Sequence, residues 1–320
     1  MDIMTMGEVL IDLTQKGRDE NGVARFAAFP GGAPANVAVA ATRLGASAGF
    51  MGKVGADSFG RELKSVLERE GVDTAFVFEC TEHPTTMAIV HVDEEGERDF
   101  TFYRDPGADT QITVEEAMSL LDREPLPRIL HFGSLSLTTS PAREACLSLI
   151  KAARDRGVLI TYDPNYRAPL WKDEASATEM MMKPLPFVDV LKVSDGEMLM
   201  MTGTDDVYEG SRILLEKGPQ LVLVTLGGSG SFYRYAGGTD TLPSVSHDIA
   251  DTNGAGDTFF GALLCQIADR LNRGAGSINE IPPADLSAMV MYSNRAAAVT
   301  CSRSGAIPAM PTPEEVERWK

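Results

Sequence analysis

The stretch Asp251-Thr-Asn-Gly-Ala-Gly-Asp257 has the residue types of a site that handles a transferable anion. Small residues let a ligand come close to the backbone. The next residues, Thr258-Phe-Phe-Gly-Ala-Leu-Leu264, turn apolar at helical spacing, so the stretch reads as a loop feeding a buried helix. The first N–H groups of a helix have no partner within it, and the helix dipole adds roughly half a positive charge there. Phosphate suits such a place. Asp257 is an odd choice for binding alone, because it repels phosphate. It makes sense as the group that takes a proton from a hydroxyl attacking the phosphorus. The same residues also suit an ordinary helix start with a first-turn acid, and these seven alone do not choose.

Further polar residues fall at the C-terminal ends of expected strands. Residues 2–13 read as a strand ending near Asp12. Val158–Asp163 delivers Asp163-Pro-Asn165-Tyr-Arg167. Val188–Ser194 leads into Ser194-Asp-Gly-Glu197, and Leu221–Thr225 into Leu226-Gly-Gly-Ser-Gly230. Near-continuous apolar strands alternating with helices predict an α/β fold: a doubly wound, mostly parallel sheet with helices on both faces. In such a sheet the strand C-termini share one rim, where ligands bind. Asp12, Asp163, Asn165, Arg167, Ser194, Glu197, Thr225 and Asp257 are therefore expected to converge.

The rest of the chain must hold that rim. Gly31-Gly-Ala-Pro-Ala-Asn36 opens an alanine-rich helix closed by Gly45, with Asn36 near its start as an outward-facing group or a local cap. Asp57 caps a helix over 58–70, and Thr113-Val-Glu-Glu116 is a capping box. Helices are expected near 284–303 and 313–319. Two hairpins, about 14–30 with Asn21-Gly22 at its turn and 85–104 with Glu94-Glu-Gly-Glu97 at its turn, interrupt the strand–helix alternation. They predict a small β-sheet beside the main domain, as a lid or a dimer surface. A third hairpin pairs Ser231–Tyr235 with about 239–245. No linker-like segment divides residues 1–320, which read as one domain with this insertion.

Composition narrows the function classes. Of 320 residues, 43% are hydrophobic and 23% charged, as in an ordinary globular protein, and the net charge of −17 argues against nucleic acid or an anionic membrane as main partner. Cys80, Cys146, Cys265 and Cys301 are scattered without metal or redox spacing and suit a reducing cytoplasm. The start, with its early acid and no basic segment, does not read as a signal peptide, and no apolar run reaches the ~18 residues of a membrane span. The Walker loop, the dinucleotide Gly-x-Gly-x-x-Gly after the first strand and the Gly-x-Ser-x-Gly elbow are all absent. His131 lies in an apolar strand and reads as a core residue, as do the methionines at 180–182 and 198–201. Phosphoryl transfer fits what remains. Gly254, Ala255 and Gly256 would form the cradle and Asp257 the base. Glu197 would organise Mg²⁺ through water, and Arg104 or Arg167 would hold an anionic or hydroxylated substrate.

Gly31-Gly-Ala-Pro-Ala-Asn36 with Gly45 and Gly55, and Asp251–Asp257 with Gly261-Ala262, resemble the two signatures of the ribokinase-like (PfkB) carbohydrate kinases. Within that family, Gly7-Glu-Val-Leu-Ile-Asp12, Phe102-Tyr-Arg104, Asp163-Pro-Asn-Tyr-Arg167, Lys192-Val-Ser-Asp195 and Val224-Thr-Leu-Gly227 look like fructokinase. The resemblance implies ATP and Mg²⁺, a β lid that often forms a homodimer surface, and transfer of the γ-phosphate to a sugar hydroxyl. It implies sugar contacts from Asp12, Gly31, Gly32, Asn36, Tyr103, Arg104, Asp163, Asn165 and Arg167. Lys192, Ser194, Glu197, Thr225, Gly227, Gly230 and Asn294 would lie along the nucleotide. Ser194 replaces the family's usual asparagine. Many members also hold K⁺ near the positions of Asp251, Asn253 and Gly305. The activity expected is D-fructose to fructose 6-phosphate. A 2-keto-3-deoxygluconate kinase is the first alternative, and a non-catalytic sugar- or nucleotide-binding regulator comes next. The missing fingerprint sets a nicotinamide oxidoreductase aside.

Overall fold

The computed structural model describes residues 1–92, 98–274 and 276–319. In chain order the elements are β1 (Ile3–Met6), β2 (Leu10–Arg18), β3 (Ala24–Gly31), α1 (Ala33–Arg43), β4 (Ala48–Gly55), α2 (Ser58–Arg69), β5 (Asp73–Cys80), β6 (Met87–Val92) and β7 (Arg98–Tyr103). They continue as α3 (Val114–Met118), β8 (Ile129–Gly133), α4 (Ala142–Asp155), β9 (Leu159–Asp163), α5 (Glu174–Met182), β10 (Val190–Ser194), α6 (Asp195–Thr202) and α7 (Val207–Leu215). The last are β11 (Leu221–Thr225), β12 (Ser231–Tyr235), β13 (Gly238–Leu242), α8 (Ala255–Asn272), α9 (Pro283–Cys301) and α10 (Pro313–Arg318).

Among the described residues the strands form two sheets. The larger runs β13-β12-β11-β10-β9-β8-β1-β4-β5 and is parallel except where β12 returns antiparallel on β11 and β13 on β12. Its central strands are buried along almost their whole length, which their Val, Leu and Ile runs require when helices cover both faces. The smaller sheet runs β3-β2-β6-β7. The doubly wound α/β reading holds, and the two inserted hairpins do form a sheet of their own. The turn at Glu94-Glu-Gly-Glu97 lies outside the described residues.

One expectation needs correction. Residues 2–13 are two strands in two different sheets. The chain leaves the main sheet after Met6, bends through Gly7-Glu-Val9 and enters the small sheet at Leu10, so Asp12 approaches the rim from the small sheet. Residues 3–11 are buried without interruption, so one apolar run spans both strands and hides that bend. The sequence reading also missed β5, α5, α6 and α7. β5 is an edge strand with mixed exposure, and the Met-rich α5 and α6 show little amphipathic contrast, although Met181, Met198 and Met201 are core residues as expected. His131 is core as well. Its ring stands edge-on to Phe260, its Nδ1 lies 3.2 Å from Thr161 Oγ1, and burial pushes its pKa down to about 3.

Two helices carry the site, and they touch closely. A β-carbon on Gly261 of α8 would stand 2.7 Å from Ala40 Cβ and 3.0 Å from the Val37 carbonyl of α1. Only glycine facing an alanine row lets the two backbones approach this far. That approach brings Asn36 on α1 to Asp257 on α8.

Candidate active site

α8 begins at Gly254, which takes the left-handed conformation (φ 75°) and carries no side-chain cap. The Gly256 and Asp257 N–H groups are therefore left for an outside anion, while the Ala255 N–H makes a long bond of 3.3 Å to the Thr252 carbonyl. Asp257 is the third residue of the helix and 7% exposed. Asn36 Nδ2 donates to its Oδ2 at 2.8 Å, and Asn165 Nδ2 stands 3.5 Å from Oδ1. Burial pushes the carboxyl up to about 6, with Asp163 adding to the rise and the Asn36 bond, Lys192 and Arg167 opposing it. A carboxyl titrating there is ionised at neutral pH yet basic enough to take a proton. Asn165 reaches it from a left-handed backbone (φ 46°), uncommon outside glycine and frequent at sites.

Two cavities meet at this helix start. One lies between the two sheets and is walled by Asp12, Gly32, Asn36, Asn165, Arg167 and Asp257, with Glu8, Phe102 and Leu135 completing it. The other is walled by Thr225, Gly227, Gly230, Asn294 and the first turn of α8, with Ile249, Phe259 and Ala297 as apolar surface. Between them Lys192, Gly254, Gly256 and Asp257 border a third opening. Lys192 Nζ lies under the glycine loop, 3.2 Å from where a β-carbon on Gly256 would be.

Most of the expected site residues come together, and several do so in other roles. Asp163 lines none of these cavities. Its Oδ2 accepts from Lys192 Nζ at 2.6 Å, with both side chains almost completely buried. That pair keeps Lys192 charged: burial opposes the charge, but Asp163, Glu197 and Asp257 outweigh it, and its pKa is raised. Arg104 is turned away from the cavity between the two sheets. Its fork is taken by Asp109 Oδ2 at 2.7 Å, Thr138 Oγ1 at 2.8 Å and the Leu135 carbonyl at 2.9 Å. Tyr103 is 56% exposed, because successive strand residues point to opposite faces and it is Phe102 that enters the cavity. Gly31 stacks against Asp12, whose Oδ2 would be 2.4 Å from an added β-carbon.

Glu197 stands in the loop network rather than in a carboxylate cluster. Its Oε1 accepts the Tyr166 N–H at 2.7 Å, and its Oε2 accepts the Ser194 N–H at 2.7 Å and the Ser194 hydroxyl at 3.0 Å. Ser194 in turn caps α6. Glu197 thereby fixes the loop that presents Asn165 and Arg167. Among the described residues no three His, Cys, Asp or Glu groups converge as a metal cage. This donor chemistry fits a cation carried in on nucleotide phosphates, which keeps most of its waters. Asp251, Asn253 and Gly305 do meet: Asp251 Oδ1 accepts the Asn253 N–H at 2.8 Å and its Oδ2 the Gly305 N–H at 3.0 Å.

The sequence reading did not select Glu8, Phe102, Leu135 or Ile249 as site residues. Phe102 was findable by strand alternation from Arg104. Glu8 sits in the unforeseen bend, and Ile249 in an irregular loop with no periodic signal. That loop is held from afar. Trp319 Nε1 donates to the Val245 carbonyl at 3.0 Å, and its ring stacks on His247 at 4.5 Å between centroids.

Residues 1–313 match the model of the pfkB family carbohydrate kinases. The chain belongs to that family. It is 38% identical over 318 residues to probable fructokinase-4 of Arabidopsis thaliana, covering 98% of this chain and 95% of the relative. Its fold superposes on the fructokinase of Xylella fastidiosa with bound ATP at a TM-score of 0.87 and 29% identity, over 99% of this chain and 97% of the other. The fructokinase of Vibrio cholerae O395, in a fructose, ADP and calcium ion bound form, gives 0.86 and 29%, over 100% and 99%. As a carbohydrate kinase of this family, the protein is a phosphotransferase acting on a sugar hydroxyl. No helix among the described residues is long and apolar enough to cross a membrane.

Proposed function

We propose that this protein is an ATP-dependent fructokinase that moves the γ-phosphate of ATP to the primary hydroxyl of D-fructose that gives fructose 6-phosphate. The observation that carries the reading is a buried carboxylate, Asp257, at the junction of two cavities, on the first turn of a helix whose N–H groups point at the same place. Asp12, Gly32, Asn36, Asn165 and Arg167 hold the sugar. Asp257 takes the proton of the attacking hydroxyl. The N–H groups at Gly254, Ala255 and Gly256 receive the negative oxygens of the moving phosphoryl group, with Lys192 beneath them as a fixed positive charge. Thr225, Gly227, Gly230 and Asn294 border the nucleotide. Mg²⁺ bound with the nucleotide would supply charge neutralisation, and Glu197 would support it only through the loop it fixes. The linked loops of Asp251, Asn253 and Gly305 suit a K⁺ ion next to the anion site, and a V. cholerae fructokinase is known in a potassium ion bound form.

A sugar acid such as 2-keto-3-deoxygluconate is the competing substrate. Two arginines would serve its carboxylate, but Arg104 is committed to Asp109, and the sugar-side cavity carries Glu8, Asp12 and Asp257 against Arg167. This balance favours a neutral ketose. We treat residues 1–320 as one kinase domain and the small sheet as its lid, closing over the sugar to exclude water. The lid leaves Val23, Phe26 and Tyr103 exposed, an apolar surface that suits a homodimer contact. The four unpaired cysteines suit work in the cytoplasm.

The test is ADP formation over a panel of sugars, with and without K⁺. Turnover of fructose with none of the keto acid is the expected result. Activity on the keto acid alone would replace the substrate, and tight ligand binding without ADP formation from any sugar would make the protein a binding regulator.

A further inference from the structure

Glu8 lies in the bend between β1 and β2, where the chain passes from one sheet to the other. It is 3% exposed, and its carboxyl is half satisfied. Oε1 accepts the N–H of Ala33, the first residue of α1, at 3.1 Å. Oε2 is buried and has no hydrogen-bond partner among the described residues. Buried polar atoms are nearly always paired, so an orphan at a cavity wall marks a place for a ligand atom. Glu8 walls the same cavity as Asp12, Asn36 and Asp257.

We propose that Glu8 contacts the sugar, its Oε2 meeting a hydroxyl of the bound ketose while Oε1 holds the start of α1. The proposal rests on the sugar-kinase reading and adds a specificity residue to it. The neighbouring cation is engaged elsewhere, because Arg104 donates to Asp109, Thr138 and the Leu135 carbonyl. A hydroxyl suits the site in either protonation state. Burial raises the Glu8 pKa to about 7, with Arg104 lowering it and Asp109 raising it, and a hydroxyl can donate to the carboxylate or accept from the acid.

The experiment compares wild type and Glu8→Gln on fructose and on its 1-, 3- and 4-deoxy analogues. Gln keeps an oxygen for the Ala33 N–H. The variant is expected to raise KM for fructose about tenfold, with KM for ATP and Tm nearly unchanged, since an amide can give the hydroxyl only a neutral hydrogen bond in place of a charge-assisted one. One deoxy analogue is expected to lose at least this factor in wild type and clearly less in the variant, while the other analogues lose the same in both proteins. An unchanged fructose KM, or equal penalties for every analogue in both proteins, overturns the proposal. If Glu8→Gln does not fold, Glu8→Asp carries the same comparison by withdrawing the carboxylate one methylene. Wild-type turnover of fructose separately decides the substrate reading. Should another sugar be the substrate, the same KM comparison is made with it.

Discussion

Asn36 and Asp257, 221 residues apart in sequence, share a 2.8 Å hydrogen bond in which the amide donates to the carboxylate. The bond aims the base with a neutral group, so Asp257 is oriented without being neutralised by a cation in direct contact. A contact to the ionised form favours that form. Asn36→Ala should therefore raise the Asp257 pKa above its present value of about 6. In wild type, kcat/KM rises with pH through about 6 as the base ionises; in the variant that acid limb moves to higher pH. A pH profile of kcat/KM checks this, and a limb that stays in place would mean that another group sets it.

Replacing the base has two opposite effects. Asp257→Asn should lower kcat by about 10²–10⁴-fold, the usual contribution of a positioned base. It should also stabilise the protein. The folded pKa of about 6 lies above the unfolded value, so the native state holds this proton more tightly. The stability it contributes is present at low pH and is lost as pH rises through about 6, leaving a net cost at neutral pH. Asn carries no such cost, and unfolding at pH 8 should show a gain of roughly 1–3 kcal/mol.

The buried pair of Asp163 and Lys192 predicts a different failure. Asp163→Ala leaves the lysine without its direct partner in a dry site, at a cost of roughly 3–5 kcal/mol. Urea unfolding should show this loss as a lower midpoint. Lys192→Met leaves the buried carboxylate unpaired at a similar cost, and should in addition lower kcat with sugar affinity retained.

Gly32 tests the backbone. It has φ 106°, and a β-carbon there would stand 2.4 Å from the Glu8 carbonyl oxygen. Gly32→Ala must push the start of α1 away from the bend that carries Glu8, costing about 1–3 kcal/mol as overpacking does. Sugar KM should rise well above any change in ATP KM. Equal changes in both would show that the strain spreads beyond the sugar side.

Much of this was legible in the residues. The glycine-rich stretch and its apolar continuation announced α8, and the apolar strands announced the parallel sheet and its rim. What the sequence could not carry was direction. Asp163 and Arg104 have the right types and positions in the chain, but both are spent on ion pairs, with Lys192 and Asp109. Pairings between distant strands leave no periodic trace. Glu8 and Asp12 were misplaced for one reason: the bend after Met6 interrupts a pattern that reads as a single strand.

The contact between Trp319 and the loop around Val245 has a temporal meaning. That loop supplies Ser244, Ser246 and Ile249 to the nucleotide cavity. During synthesis, every other wall of that cavity is made before the ring that pins this one. The cavity between the two sheets has its last lining residue at Asp257, whereas the loop on the side proposed for the nucleotide has its last brace more than sixty residues later, at Trp319. A nascent chain that has its base and its sugar contacts still lacks a fixed place for ATP.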